Sequence, residues 1–169
     1  MIILGIDAAI RCTGYGVVRV FSPDDFVVLD CGVIKTPQKA LHSECLRRMS
    51  GGIRELLSEF NPDSAAIESA FYQKNIKTAM ILSLVRGAAI AVLAEHSVPV
   101  REYAPRKAKK AVVGTGMASK LQVATMIASI TGISLNDMPL DATDALAIAI
   151  CHGQIACRPE ADLFLPPVI

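Results

Sequence analysis

Ile2-Ile3-Leu4-Gly5-Ile6-Asp7, followed by Thr13-Gly14-Tyr15-Gly16-Val17-Val18, is the stretch whose reading decides the fold. The first part is a short apolar run closed by an acid. The second is valine-rich with glycines at alternate positions, which predicts a strand with either a tight approach by another element or a bulge. Pro23-Asp24 predicts a turn, and Phe26 to Lys35 a third strand. A first strand ending in an acid and continuing into two further strands puts Asp7 at the edge of a rigid sheet.

Working outward, Leu46, Met49, Ile53, Leu56, Leu57 and Phe60 recur at helical spacing, and Asn61-Pro62 stops that helix. Ser64 to Glu68 reads as a buried strand that also ends in an acid. Ile76 to His96 reads as a long helix, apolar on nearly every side and hence covered on more than one face, by its own domain or by a second subunit. Val98 to Tyr103 gives a fifth strand. A basic helix near Arg106 to Val113, a turn at Gly114 and Gly116, a helix from about Lys120 to Thr131 and a last helix beginning after Pro139 and running to about Ile155 follow. Three antiparallel strands running into parallel ones, with flanking helices, make an α/β layered domain over residues 1–157, with 158–169 as a tail.

The 169 residues are 52% hydrophobic and 20% charged, as expected of one folded domain. The apolar start has no basic segment before it, and Ser83 and Arg86 interrupt the most hydrophobic stretch. We therefore expect a soluble, cytoplasmic protein. Five cysteines without a CxxC pair, and three histidines without ligand spacing, point away from structural zinc and disulfides. The formal net charge is only +1, yet residues 101–120 carry +5, leaving −4 for the rest. Such a strip is either a solvated helix face or a phosphate-binding surface.

The acids carry the chemistry. Asp7 and Glu68 each end a core strand, and if those strands are neighbours both carboxylates emerge at one sheet edge. Holding them together is unfavourable unless a cation joins them. Asp141 and Asp144 stand three apart on one helix face. Capping would explain Asp141. Asp144 is followed by Ala145-Leu146-Ala147-Ile148-Ala149-Ile150, so it sits in a buried helix and needs a partner. Clustered acids with few histidines suit Mg²⁺ or Mn²⁺. Two such ions about 3.5–4 Å apart activate water and stabilise the leaving oxygen in phosphodiester hydrolysis.

These blocks together resemble the RuvC family of bacterial Holliday-junction resolvases, which have a ribonuclease H-like fold. The likeness runs through Gly5-Ile6-Asp7 with Thr13 to Val18, and Glu68-Ser69-Ala70-Phe71 with Asn75. It continues through Ala111 to Gly116 with Ala118-Ser119-Lys120 and Gln122-Val123, and through Asp141 to His152. It implies a homodimer that nicks opposed strands of a four-way DNA junction, partnered by a branch-migration motor. By the same resemblance Asp7, Glu68, Asp141 and Asp144 are the metal-binding catalytic acids, with two ions per site. Lys109 and Lys120 are its DNA-backbone lysines, and Lys110 belongs to the same basic face. Phe71 is an aromatic acting on bases near the junction, suited by its polar loop to stacking. His152 reads as a satisfied structural histidine.

Two departures stand out. Ala8-Ala9 replaces the family's Pro-Gly, and Val85 replaces a small residue in the long helix, with consequences expected for substrate contacts and subunit packing. Three rival functions remain, one of them a related nuclease acting on RNA or on another branched DNA, which the chemistry alone does not exclude. Sugar kinases and actin-like ATPases share the core but need two such domains around a nucleotide. A non-catalytic binder of branched DNA would gain nothing from clustered negative charge.

Overall fold

The computed structural model describes residues 1–69 and 75–169. Five strands form one mixed sheet: β1 (Ile2–Asp7), β2 (Cys12–Ser22), β3 (Asp25–Lys35), β4 (Ser64–Glu68) and β5 (Val100–Tyr103), in the order β3-β2-β1-β4-β5. The first three are antiparallel neighbours, and β4 runs parallel to both β1 and β5. The expected mixed sheet, antiparallel first and parallel afterwards, is what forms.

Helices cover both faces. Alternation along the strands separates the two cores, as the two-residue period requires. Leu4, Ile6, Val17, Ala65 and Ile67 point toward α1 (His42–Phe60) and α2 (Ile76–Glu95). Ile3, Val18, Val20 and Ala66 point the other way, toward α3 (Pro105–Val113), α4 (Lys120–Thr131) and α5 (Leu140–Ala156). α5 is buried almost throughout, from Ala142 to Ile155, with only Asp144 and Gln154 half-exposed. That is why its sequence lacks a polar stripe.

Local signals set the boundaries. α1 ends with Asn61 in the left-handed region, at φ 44°. The Asn75 side chain caps α2 by accepting from the Thr78 amide at 3.2 Å. Pro105 opens α3 and Gly114 closes it at φ 81°, while Ser119 and Gln122 cap α4 reciprocally. Residues 158–169 contain a short helix, α6 (Ala161–Phe164). Beyond it, Val168 bridges antiparallel to Arg101, and the Ile169 amide donates to the Val100 carbonyl at 3.0 Å. The Arg101 guanidinium also donates to the Pro166 carbonyl. The end of the chain thus closes the free edge of β5.

α2 is long and apolar enough to cross a membrane by length and composition. Here one side of it lies in the core through Val85, Ala89, Val92 and Leu93, and Arg86 forms an ion pair with Glu102. Its other side is open: Met80, Leu84, Gly87, Ala91 and Ala94 are exposed. Val85 is fully buried, so this bulkier residue packs in the domain core and not on the open face.

Candidate active site

β1 and β4 are parallel neighbours with Ile6 opposite Ile67, so the next residues, Asp7 and Glu68, leave the sheet side by side. The third partner arrives from above. Gly14 pairs with Asp7 across β1 and β2, and a Cβ on Gly14 would lie 2.0 Å from the Asp141 carbonyl oxygen. A Cβ on Gly5 would lie 2.2 Å from the Ala145 carbonyl. Only glycine lets α5 lie this close to the strands. That approach brings its first turn down onto Asp7.

Asp7, Asp141 and Asp144 consequently offer carboxylate oxygens that all lie within 4.8 Å of one another. Glu68 is not part of that trio, but it is near enough for its charge to act on Asp7. Burial above all, then Glu68, Asp144 and Asp141, push the Asp7 carboxyl from 3.8 up to about 7, with only Lys120 opposing. Glu68 is raised too, by burial and by Asp144, against Lys120 and Lys109. The donor set is all hard oxygen, and it is electrostatically unfavourable alone. Those are the properties expected of residues that share a divalent cation, so the set fits one.

Lys120 is the first residue of α4, and its ammonium reaches into the cluster. It lies 2.6 Å from Asp144 Oδ2 and 3.8 Å from Asp141 Oδ1. Its pKa is raised by the hydrogen bond to Asp144. Lys109 projects from α3 and donates to the Ala118 carbonyl at 3.0 Å, where its charge is felt by Glu68. Lys110 does not join them. With Lys107 and Arg158 it lines a different cleft. Phe71 lies outside the described residues.

Sequence reasoning missed two neighbours of the acids. Cys12, two residues before Gly14 and so on the same face of β2, lines the same pocket as Asp141; burial and that neighbouring carboxylate push its thiol up to about 11, so it stays protonated. Period-two reading of β2 would have found it. Arg86 donates from Nε to the Glu68 carbonyl at 3.1 Å and pairs with Glu102 on β5, anchoring the end of β4. No local signal marks that contact, because it joins a helix to two strands.

The Ala8-Ala9 turn keeps ordinary backbone geometry: Asn61 and Ser97 are the non-glycine residues with positive φ among those described. The Thr13 hydroxyl donates to the Ala9 carbonyl at 2.8 Å and ties the turn back to β2. Glycine is not needed there. Beside it, Ala9, Ile10, Ile81 and Leu82 line an apolar pocket that reaches Asp7 and Asp141.

Comparison with known proteins agrees with this architecture. The family model described as "Crossover junction endodeoxyribonuclease RuvC" matches residues 3–152. The protein of that name from Alkaliphilus metalliredigens is 43% identical over 153 residues, covering 90% of this chain and 93% of the relative. The one from Chlorobaculum parvum is 42% identical over 151 residues, covering 89% and 80%. Among solved structures, Thermus thermophilus RuvC in complex with Holliday junction substrate superposes with a TM-score of 0.88 at 32% identity, over 99% of both chains. A yeast mitochondrial Holliday junction resolvase, at 13% identity and a TM-score of 0.63 over 90% of this chain and 78% of its own, shares the fold. Match length, identity and superposition together settle kinship: the chain belongs to the RuvC family of crossover junction endodeoxyribonucleases.

Proposed function

We propose that this protein resolves four-way DNA junctions by hydrolysing phosphodiesters in opposed strands. The observation that carries the reading is the meeting of Asp7, Asp141 and Asp144 within 4.8 Å, in a chain superposing at 0.88 on a structure holding a Holliday junction substrate. A pure binder of polyanionic DNA would gain nothing from three converging carboxylates.

Asp7, Asp141 and Asp144 would hold the cation, with Glu68 completing the set toward a second one. A bound Mg²⁺ or Mn²⁺ would supply Lewis acidity, activating water and stabilising the leaving oxygen. The protein's own part is positional. β1 and β4 fix two carboxylates rigidly, and α5, lowered onto Gly5 and Gly14, brings two more. Lys120 balances the acids' charge and stands ready to pair with a backbone phosphate. Lys109 supplies a second cation on the same side, and binding is then salt-dependent. Phe71, in the segment after Glu68, is our candidate for stacking on a base at the junction.

The open face of α2 supports a homodimer. Met80, Leu84, Gly87, Ala91 and Ala94 recur at alternating spacings of four and three, the seam of two helices packed side by side. Partnership with a branch-migration motor and a cytoplasmic setting are proposed on the family likeness.

The test is cleavage of an end-labelled synthetic four-way junction beside linear duplex of the same sequence, with Mg²⁺, Mn²⁺ or EDTA. Paired nicks in opposed strands, dependent on metal and absent from duplex, are expected. Equal cutting of duplex, or tight binding without cleavage in either metal, would overturn the proposal.

A further inference from the structure

On the far side of α3 from Lys109, a cleft of about 420 Å³ opens between α3, the end of α5 and α6. Lys107, Lys110 and Arg158 surround it, and Ala111, Ile155 and Phe164 give it an apolar lining. No acidic side chain lines it, in a chain whose formal charge is only +1. Lys107 lies over the Tyr103 ring at 5.3 Å, and Arg158 Nε donates to the Gln154 carbonyl at 3.1 Å. Among the described residues, neither lysine nor Arg158 forms an ion pair with an acid. Three cations are therefore gathered with no anion of the chain's own to answer them.

The cleft is not an extension of the active site. Asp141 and Asp144 lie in the first turns of α5, whereas Cys151, Gln154 and Ile155, which line the cleft, lie near its end. At 1.5 Å per residue, about 15 Å of helix separates Asp144 from Gln154. Its shape also argues against duplex DNA. A sugar–phosphate backbone offers only small deoxyribose C–H faces to set against Phe164, which remains 53% exposed, and a paired helix does not enter a concave pocket. Cations ringing an apolar floor are complementary to a ligand that offers carboxylates around one large apolar side chain.

We propose that this cleft binds an acidic peptide segment of a partner protein, seating a leucine-, phenylalanine- or tryptophan-sized side chain on Ile155 and Phe164. Its carboxylates pair with Lys107, Lys110 and Arg158. The site would let the enzyme be recruited while both the acids and Lys109 and Lys120 stay free for DNA.

The experiment is to pan a library of short random peptides on the full-length protein, counter-selecting on Arg158→Glu, then to measure selected peptides by fluorescence anisotropy. Enriched sequences should carry two or more acids beside one large apolar residue. Arg158→Glu should weaken them at least about tenfold, and Phe164→Ala by several-fold. Junction affinity and cleavage should be unchanged in both variants, and this reports that they fold. Enrichment of sequences lacking acids, or no sequence whose binding depends on Arg158, would overturn the proposal. So would Arg158→Glu weakening junction binding while peptides bind undiminished, which would assign the cleft to DNA instead.

Discussion

Asp7 is the residue on which burial and three neighbouring acids act together. With its carboxyl pushed up to about 7, the stability tied to this group is fully present below its ordinary 3.8 and lost as pH rises through 7. The protein thus carries a destabilising charge at neutral pH whenever no cation offsets it. We expect Asp7→Asn to abolish cleavage while keeping or tightening junction binding, since it removes a charge that repels phosphate. In EDTA its Tm should exceed that of the wild type by more at pH 8 than at pH 5; an equal difference at both would refute the electrostatic account. Lys120 is the counterpart. Because it sits 2.6 Å from Asp144, it competes with any cation for that carboxylate. Lys120→Ala should therefore bind Mn²⁺ more tightly by calorimetry, yet bind junction more weakly with a salt slope flatter by about one. If both affinities stayed at the wild-type value, Lys120 would be an ordinary surface lysine.

At the scale of elements, most of the fold was legible and the reason is periodicity. The strands ending in Asp7 and Glu68, and the buried run after Asp144, follow from patterns of two and of continuous apolarity. The identity of the strand neighbours, and hence the meeting of Asp7 with Glu68, was conditional in the sequence, because pairing is a property of non-local contacts. The closing of β5 by Val168 was invisible for the same reason, and a run rich in Pro166 and Pro167 read only as a tail. Gly14 shows both sides. Its spacing allowed a close approach or a bulge, and the structure decides for the approach and names the Asp141 carbonyl as what approaches. Gly14→Ala should push α5 off the strands, costing about 1–3 kcal/mol and displacing two acids at once. Cleavage should fall much more than junction binding; intact cleavage with an unchanged Tm would show that α5 is free to shift.

α5 is held at its other end by polar contacts. His152, read from sequence as a satisfied histidine, bridges Tyr103 Oη at 2.8 Å and Ser64 Oγ at 2.9 Å, joining α5 to β5 and β4. Burial pulls its pKa from 6.5 to about 4, so the neutral ring's contribution is present above 6.5 and lost as pH falls through 4. Unfolding free energy should drop by roughly 3 kcal/mol across that window. Urea denaturation of His152→Gln over the same range should show a shallower decline; an identical decline would place the acid sensitivity elsewhere.

Across the whole molecule, one active site can make one nick, whereas resolution needs two in opposed strands. The fold offers an answer in α2, which buries Val85, Ala89, Val92 and Leu93 and leaves Met80, Leu84, Gly87, Ala91 and Ala94 outside. The sequence showed only that this helix is apolar all round; which side faces the domain depends on how α1 and the sheet meet it. The small residues at 87, 91 and 94 allow two helix backbones to approach closely, and Met80 and Leu84 supply the apolar area. If that face is the seam of the proposed homodimer, placing a charge in it should separate the subunits without touching the acids, because Leu84 is 54% exposed and lies on the side away from the core. Leu84→Arg is therefore expected to sediment as a folded monomer with an unchanged circular dichroism spectrum. Its junction affinity should fall, and the nicks that persist at high enzyme concentration should be single and uncoupled rather than paired. A Leu84→Arg protein that stayed dimeric and still cut opposed strands together would mean that the pairing surface lies elsewhere on the domain.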